Sequence, residues 1–285
     1  MKVNLGGIVH LSTVDWTGSA CTVIFLRGCP MRCPHCQNKD LQSGDSPADL
    51  SIVNGEIRVQ SPGLGNGRRL SSAQITLNEA IRLSDEQASP KSADSLISGI
   101  VLSGGEPLMQ HEVVRSIARS AKKAGLKVGL ETCGYYPDLM AQLLEENLLD
   151  FIFLDIKAAL KDPQYERACG HRNAASKVME SLKQSLRSGV SFEVRITIFP
   201  EMPSISDVNE IALIINHLQK EFPQNQLKLL ALQRGLPKDR EFVPVSREIL
   251  ASMARSIEGL VEVKIRDYPE AKPSLDESAI DLKPS

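Results

Sequence analysis

Aromatic side chains make up only 4% of this 285-residue chain, which holds a single tryptophan. That scarcity says little about function, but other absences exclude more. Charge is nearly balanced, with 33 Lys and Arg against 35 Asp and Glu and a net charge of −2. Nothing basic dominates, so nucleic acid is not expected as a partner. No uninterrupted apolar run reaches membrane-spanning length, and Met1-Lys2-Val3-Asn4 does not lead into the apolar region of a signal peptide. The expected setting is the cytoplasm, with no membrane partner and with thiols kept reduced. There are only 5 histidines and 6 cysteines. Four of the histidines have no metal-ligand spacing, and no second cysteine cluster of the bacterial ferredoxin type is present.

What is there begins with six apolar, β-branched runs, each ending in turn residues. They are Cys21 to Leu26, Gly99 to Leu102, Lys127 to Leu130, Phe151 to Leu154, Phe192 to Phe199 and Leu227 to Leu232. Between them, apolar residues recur with helical period in His111 to Lys123, Asp138 to Glu146, Ala174 to Arg187, Ile205 to Gln219 and Ser246 to Ile257. Near-continuous apolar strands alternating with helices predict a parallel sheet covered by helices. The fold class is α/β, either a partial (β/α)6 barrel of the TIM type or an open doubly wound sheet. The polar residues cluster at the C-terminal ends of the strands, the face that carries the active site in barrels of this kind.

One core domain is expected over 1–268, followed by a polar tail at 269–285. A long excursion at about 42–73 interrupts it, rich in Gly, Pro and Ser. Within it, Leu50 to Val53 and Ile57 to Val59 could pair as a hairpin turning at Asn54-Gly55. The remainder reads either as a surface loop or as a lid that meets substrate or partner.

Three of the cysteines lie in one short loop, Cys29-Pro30-Met31-Arg32-Cys33-Pro34-His35-Cys36. Thiolates spaced C-x3-C-x2-C converge on something shared. Structural zinc wants four ligands, and His35 or Cys133 could supply the fourth. A [4Fe–4S] cluster is normally held by four thiolates, so three would leave one iron open for chemistry.

This loop resembles the signature of the radical S-adenosylmethionine (SAM) superfamily. The resemblance continues in Gly104-Gly105-Glu106-Pro107, similar to the GGEP motif that lines the SAM amino group, and in Glu131-Thr132-Cys133-Gly134, whose first two residues would meet the ribose hydroxyls or a cation. Asp155-Ile156-Lys157 resembles the D-x-K element in which lysine neutralises the SAM carboxylate. Arg195 corresponds to an arginine that supports SAM, and His35 stands where an aromatic residue packs on adenine. The ordinary alternatives are a βα turn, a solvated acidic turn, a surface salt bridge, a core ion pair with Glu193 and a loop imidazole. Cys133, Cys21 and Cys169 read as packing residues, although a Cys133 thiol near SAM is compatible with its position.

The lead-in from Gly6 to Gly18 looks like that of the activating proteins of anaerobic ribonucleoside-triphosphate reductases. The resemblance covers the chain to about residue 268; the excursion at 42–73 departs from it. It implies that Cys29, Cys33 and Cys36 bind a [4Fe–4S] cluster and that reductive SAM cleavage yields a 5′-deoxyadenosyl radical. The implied target is a glycine of a partner glycyl-radical enzyme, with flavodoxin or ferredoxin as electron donor. The other reading is a radical SAM enzyme acting on a small molecule, like 7-carboxy-7-deazaguanine synthase.

Overall fold

The structure is a computed structural model describing residues 2–53, 56–60, 97–237 and 242–267. All six expected strands form: β2 (Cys21–Leu26), β5 (Gly99–Gly104), β6 (Lys127–Thr132), β7 (Phe151–Asp155), β8 (Ser191–Ile198) and β9 (Leu227–Arg234). They pair in parallel, in that order. A further parallel strand, β10 (Val263–Arg266), adds beside β9. On the other flank β1 (Lys2–Ser12) runs antiparallel to β2. Neither flanking strand was anticipated. In β10 the charges of Lys264 and Arg266 break the apolar run, and in β1 Gly6-Gly7 weakens the strand signal.

The hairpin in the excursion is present. β3 (Pro47–Val53) and β4 (Glu56–Gln60) pair antiparallel, with Leu50 opposite Val59 and Val53 opposite Glu56. Because β3 also pairs with β1, the hairpin extends the main sheet. Its turn at Asn54-Gly55, the rest of the excursion and the tail at 269–285 lie outside the described residues.

The helices follow the expected stripes: α1 (His111–Lys123), α2 (Pro137–Glu145), α4 (Ala174–Arg187), α5 (Ile205–Glu221) and α6 (Arg247–Ser256). A short α3 (Gln164–Cys169), too brief to show a periodic stripe, was not expected. One large core lies between helices and sheet, drawing Ile24, Leu102, Leu130, Leu154, Val194 and Leu230 from successive strands.

Strand side chains alternate between faces. The residues one step away therefore line the opposite, concave face. Towards the N-terminal ends of the strands that face is apolar: Cys21, Val23, Val101 and Phe153 pack around Trp16. The Trp16 ring lies 5.6 Å from Phe151 and 5.8 Å from Phe153, centroid to centroid. Gly129 makes room for it, since a Cβ there would come within 2.9 Å of Phe153 and 3.2 Å of Trp16. Two residues further along, the same face turns polar on β5 to β9, with Ser103, Glu131, Asp155, Arg195 and Gln233, while β2 keeps Phe25. The sheet thus has a mostly apolar floor, interrupted on β8 by Glu193, beneath a charged upper layer.

Candidate active site

The cysteine loop leaves β2 through Gly28, whose φ of +99° favours glycine. Its exit is tied down by Gly28 N–H donating to the Leu41 carbonyl (2.8 Å) and Cys29 N–H to that of Gln42 (3.2 Å). Met31 is fully buried and pins the loop to the core. Arg32 wraps back over it, its Nη1 donating to the Cys29 carbonyl at 2.5 Å and that of Met31 at 2.8 Å. The end of β5 docks onto the same loop. Gly105 N–H donates to the Leu26 carbonyl (2.8 Å) and Glu106 N–H to that of Gly28 (2.7 Å). A Cβ on Gly104 would lie 2.1 Å from the Leu26 oxygen, and one on Gly105 2.2 Å from that of Gly28. The two glycines are needed for this close approach of backbone to backbone.

Between the strand ends lies a cavity of ≈ 380 Å³ lined by Cys33, His35, Cys36, Gly104, Gly105, Glu131, Asp155, Lys157 and Arg195. These nine expected site residues therefore meet in one place. Asp155 and Lys157, alternate residues on one side of the chain, form an ion pair at 3.0 Å with each side chain about one quarter exposed. The pair faces the cavity. Burial opposes the Lys157 charge, but Asp155 and the nearby thiols outweigh it and hold its pKa well above the usual lysine range. Burial pushes the Cys33 thiol up to about 12 and raises Cys36 as well.

Arg195 uses all three guanidinium nitrogens. Nε donates to Glu193 (2.5 Å), Nη1 to Glu131 (2.7 Å) and Nη2 to the Asp15 carbonyl (2.8 Å). Its guanidinium carbon sits 4.1 Å above the centre of the Phe153 ring. The ion pair with Glu193 is thus real but is one of three contacts. Glu131 also accepts from Ser103 Oγ at 2.5 Å, which fixes its free face towards the cavity. The His35 ring stacks on Phe199 with centroids 5.0 Å apart, and Phe242 meets it edge-on.

Four expected residues do not line the cavity: Cys29, Glu106, Pro107 and Thr132. Glu106 is fully buried and turned inward. Its carboxylate accepts from Thr132 Oγ1 (2.9 Å), Cys133 N–H (2.8 Å) and Leu108 N–H (3.0 Å). Of the GGEP-like turn, whose carbonyls or Glu106 carboxylate could meet the SAM amino group, Gly104 and Gly105 reach the cavity, while Glu106 and Thr132 hydrogen-bond each other in the core. Cys29 shares a hydrogen bond with the Cys133 thiol, which lowers its own pKa and raises that of Cys133.

Sequence reasoning missed Asp15, Thr197, Phe199, Met202 and Gln233, which are among the other residues of the lining. Phe199 and Gln233 stand at the ends of runs already read as strands, and that position was the available signal.

Cys29, Cys33 and Cys36 are free thiols on one loop, a donor set of the soft kind that iron–sulfur clusters use.

The sequence model described as "Radical SAM superfamily" matches residues 23–212. The chain is 27% identical over 241 residues to "Putative glycyl-radical enzyme activating enzyme MJ1227" of Methanocaldococcus jannaschii, covering 84% of this chain and 82% of that one. It is 26% identical over 270 residues to the isethionate sulfite-lyase activating enzyme of Oleidesulfovibrio alaskensis, covering 80% and 84%. With the pyruvate formate-lyase-activating enzyme of Clostridium pasteurianum it shares 25% identity over 213 residues, covering 74% and 76%. Among solved structures, TYW1 with a lysine-pyruvate adduct bound superposes with a TM-score of 0.54 at 11% identity, covering 85% and 75%; that likeness concerns the fold alone.

Proposed function

The chain belongs to the radical SAM superfamily, and we propose that within it the protein is a glycyl-radical-enzyme activase, an oxidoreductase that cleaves SAM to install a radical on a glycine of a partner enzyme. The observation that carries this reading is the single cavity where Cys33, Cys36, Asp155, Lys157 and Arg195 meet beside the Gly104-Gly105 turn. Relatives named as activating enzymes support the partner class.

In this reading Cys29, Cys33 and Cys36 would hold a [4Fe–4S] cluster and leave one iron for SAM. When bound, the cluster supplies the electron that breaks the C5′–S bond, and hydrogen abstraction from the partner's glycine follows. Lys157 presents its ammonium to the SAM carboxylate. Glu131, held by Ser103 and Arg195, faces the ribose hydroxyls. His35, braced by Phe199, offers a flat surface to adenine. The Gly104-Gly105 backbone approaches the amino group, while Glu106 works from behind by holding the turn. Trp16 and Phe153 close the floor against water.

The partner we favour is an anaerobic ribonucleoside-triphosphate reductase, on the strength of the lead-in Gly6 to Gly18. The electron donor would be flavodoxin or ferredoxin, and the setting the cytoplasm. No helix among the described residues is long and apolar enough to cross a membrane.

The deciding experiment incubates the anaerobically reconstituted, reduced protein with SAM and a candidate reductase. The expected result is 5′-deoxyadenosine together with the EPR doublet of a glycyl radical. If a small molecule is converted instead, and no glycyl enzyme yields the doublet, the activase reading fails.

A further inference from the structure

We propose that the surface formed by Arg32, Arg167, Arg172 and Lys177 is the docking site for a small acidic one-electron carrier protein that reduces the cluster. This rests on the radical SAM reading above, since it takes Cys33 to be a cluster ligand.

The four residues border one run of backbone and ring contacts. The cysteine loop and the end of α3 are joined by Arg32 N–H donating to the Cys169 carbonyl at 2.7 Å. Gly170 follows at once, so close that a Cβ there would sit 2.5 Å from the Arg32 carbonyl oxygen. His171 comes next, its ring 4.7 Å from that of Tyr135 and its Nε2 3.2 Å from the Tyr135 hydroxyl. Lys177 Nζ lies 3.8 Å above the same Tyr135 ring. Arg167 on α3 and Arg172 beyond it flank these groups, and both are exposed.

Cations outnumber anions there. Against the four cations stand Glu166, which pairs with Arg172 at 3.2 Å, and Asp162, near enough to act on the Cys169 thiol. Arg32 spends its guanidinium on backbone carbonyls. Arg167 and Lys177 form no ion pair among the described residues. The chain as a whole carries −2. A cationic patch on a net acidic protein selects and steers an acidic partner without attracting anions to the rest of the surface.

Its position suits electron delivery. Cys33 Sγ donates to the Cys169 carbonyl at 3.9 Å, so the patch backs directly onto a proposed cluster ligand. None of the four cations lines the cavity. A carrier bound here therefore leaves the cavity free for SAM and the substrate segment. In the transfer the carrier loses one electron and the cluster gains it; no bond forms or breaks.

The test compares wild type with the triple variant Arg167→Glu, Arg172→Glu, Lys177→Glu, using reduced flavodoxin as the acidic carrier and dithionite as a small chemical reductant. We expect flavodoxin to bind wild type with an affinity that falls as salt is raised. The variant should bind about tenfold more weakly at low salt and lose most of the salt dependence. Its dithionite-driven SAM cleavage should match wild type. Equal flavodoxin affinity in the two proteins, or salt-independent binding by wild type, overturns the proposal. Absence of dithionite-driven cleavage in wild type would instead overturn the functional reading beneath it. If the triple variant does not fold, Arg167→Glu alone decides, with about a threefold loss expected and no loss overturning.

Discussion

Arg266, on the last strand of the sheet, grips both carboxylate oxygens of Glu193, at 2.6 and 2.7 Å. Glu193 in turn holds Arg195, and Arg195 holds Glu131 at the cavity wall. A strand that contributes nothing to the lining thereby fixes the angle of two residues that do. We predict that Arg266→Met destabilises the fold by about 3 kcal/mol, because it leaves a buried carboxylate short of one partner. It should also weaken SAM binding. The double variant Glu193→Gln, Arg266→Met should recover part of the stability, measurable by urea unfolding. Equal stability of wild type and Arg266→Met would show that Arg195 alone satisfies Glu193.

Anaerobic reconstitution should load wild type with one [4Fe–4S] cluster. Cys33→Ala should abolish it, whereas Cys169→Ala and Cys133→Ala should retain it. Cys169 spends its sulfur on the His171 carbonyl, and the Cys133 thiol is shared between Cys29 and the buried Glu106 carboxylate. Iron analysis and EPR of the three variants check this; a protein filled with zinc and free of iron would contradict it.

Lys157→Ala should weaken SAM binding by about 1.5–3 kcal/mol, the worth of a charge-assisted contact. It also leaves Asp155 without its cation, so Lys157→Ala should cost more affinity than Lys157→Arg. Titration of SAM into the loaded protein gives both values. An unchanged affinity would reduce Asp155 and Lys157 to a structural pair.

Asp207 closes a capping box at the start of α5 and accepts the Ala159 N–H at 3.2 Å, two residues beyond Lys157. Burial opposes its charge, but the Ser204 hydroxyl and amide outweigh it and hold its pKa below the usual aspartate range. A depressed carboxylate pKa adds stability above its unfolded value, and that stability is lost as pH falls through the folded value. Asp207→Asn should therefore lower stability at neutral pH by less than ~1 kcal/mol, since the carboxylate is largely exposed to solvent. The difference from wild type should shrink as the medium becomes more acid than the usual aspartate pKa. Denaturation curves across pH would reveal a constant gap if the carboxylate charge were irrelevant.

The strands of the sheet interior were legible because they are buried on both faces, so Ile152-Phe153-Leu154 or Val101-Leu102 read as unbroken apolar runs. The site followed from them, since chemistry-bearing residues stood where those runs ended. The direction of Glu106 was not legible. A carboxylate in a turn next to two glycines looks free in sequence, and only the approach of Thr132 and Cys133 from the next strand shows that it is spent internally. The grip of Arg266 on Glu193 was hidden for a similar reason: it joins residues 73 positions apart. In the cavity lining, Asp15 was not legible as a site residue, because its carbonyl, not its carboxylate, reaches Arg195.

Trp16 has one more effect. By filling the lower half of the sheet's hollow it sets the depth to which any molecule can descend, as a stopper sets the volume of a vial. A smaller residue at that position would lengthen the shaft beneath Arg195 and open a berth for a compound of modest size. On the activase reading proposed above, the preference for a large target over a metabolite would then rest partly on a side chain outside the cavity lining. A search for promiscuous variants of this protein should begin there rather than among the polar groups at the rim.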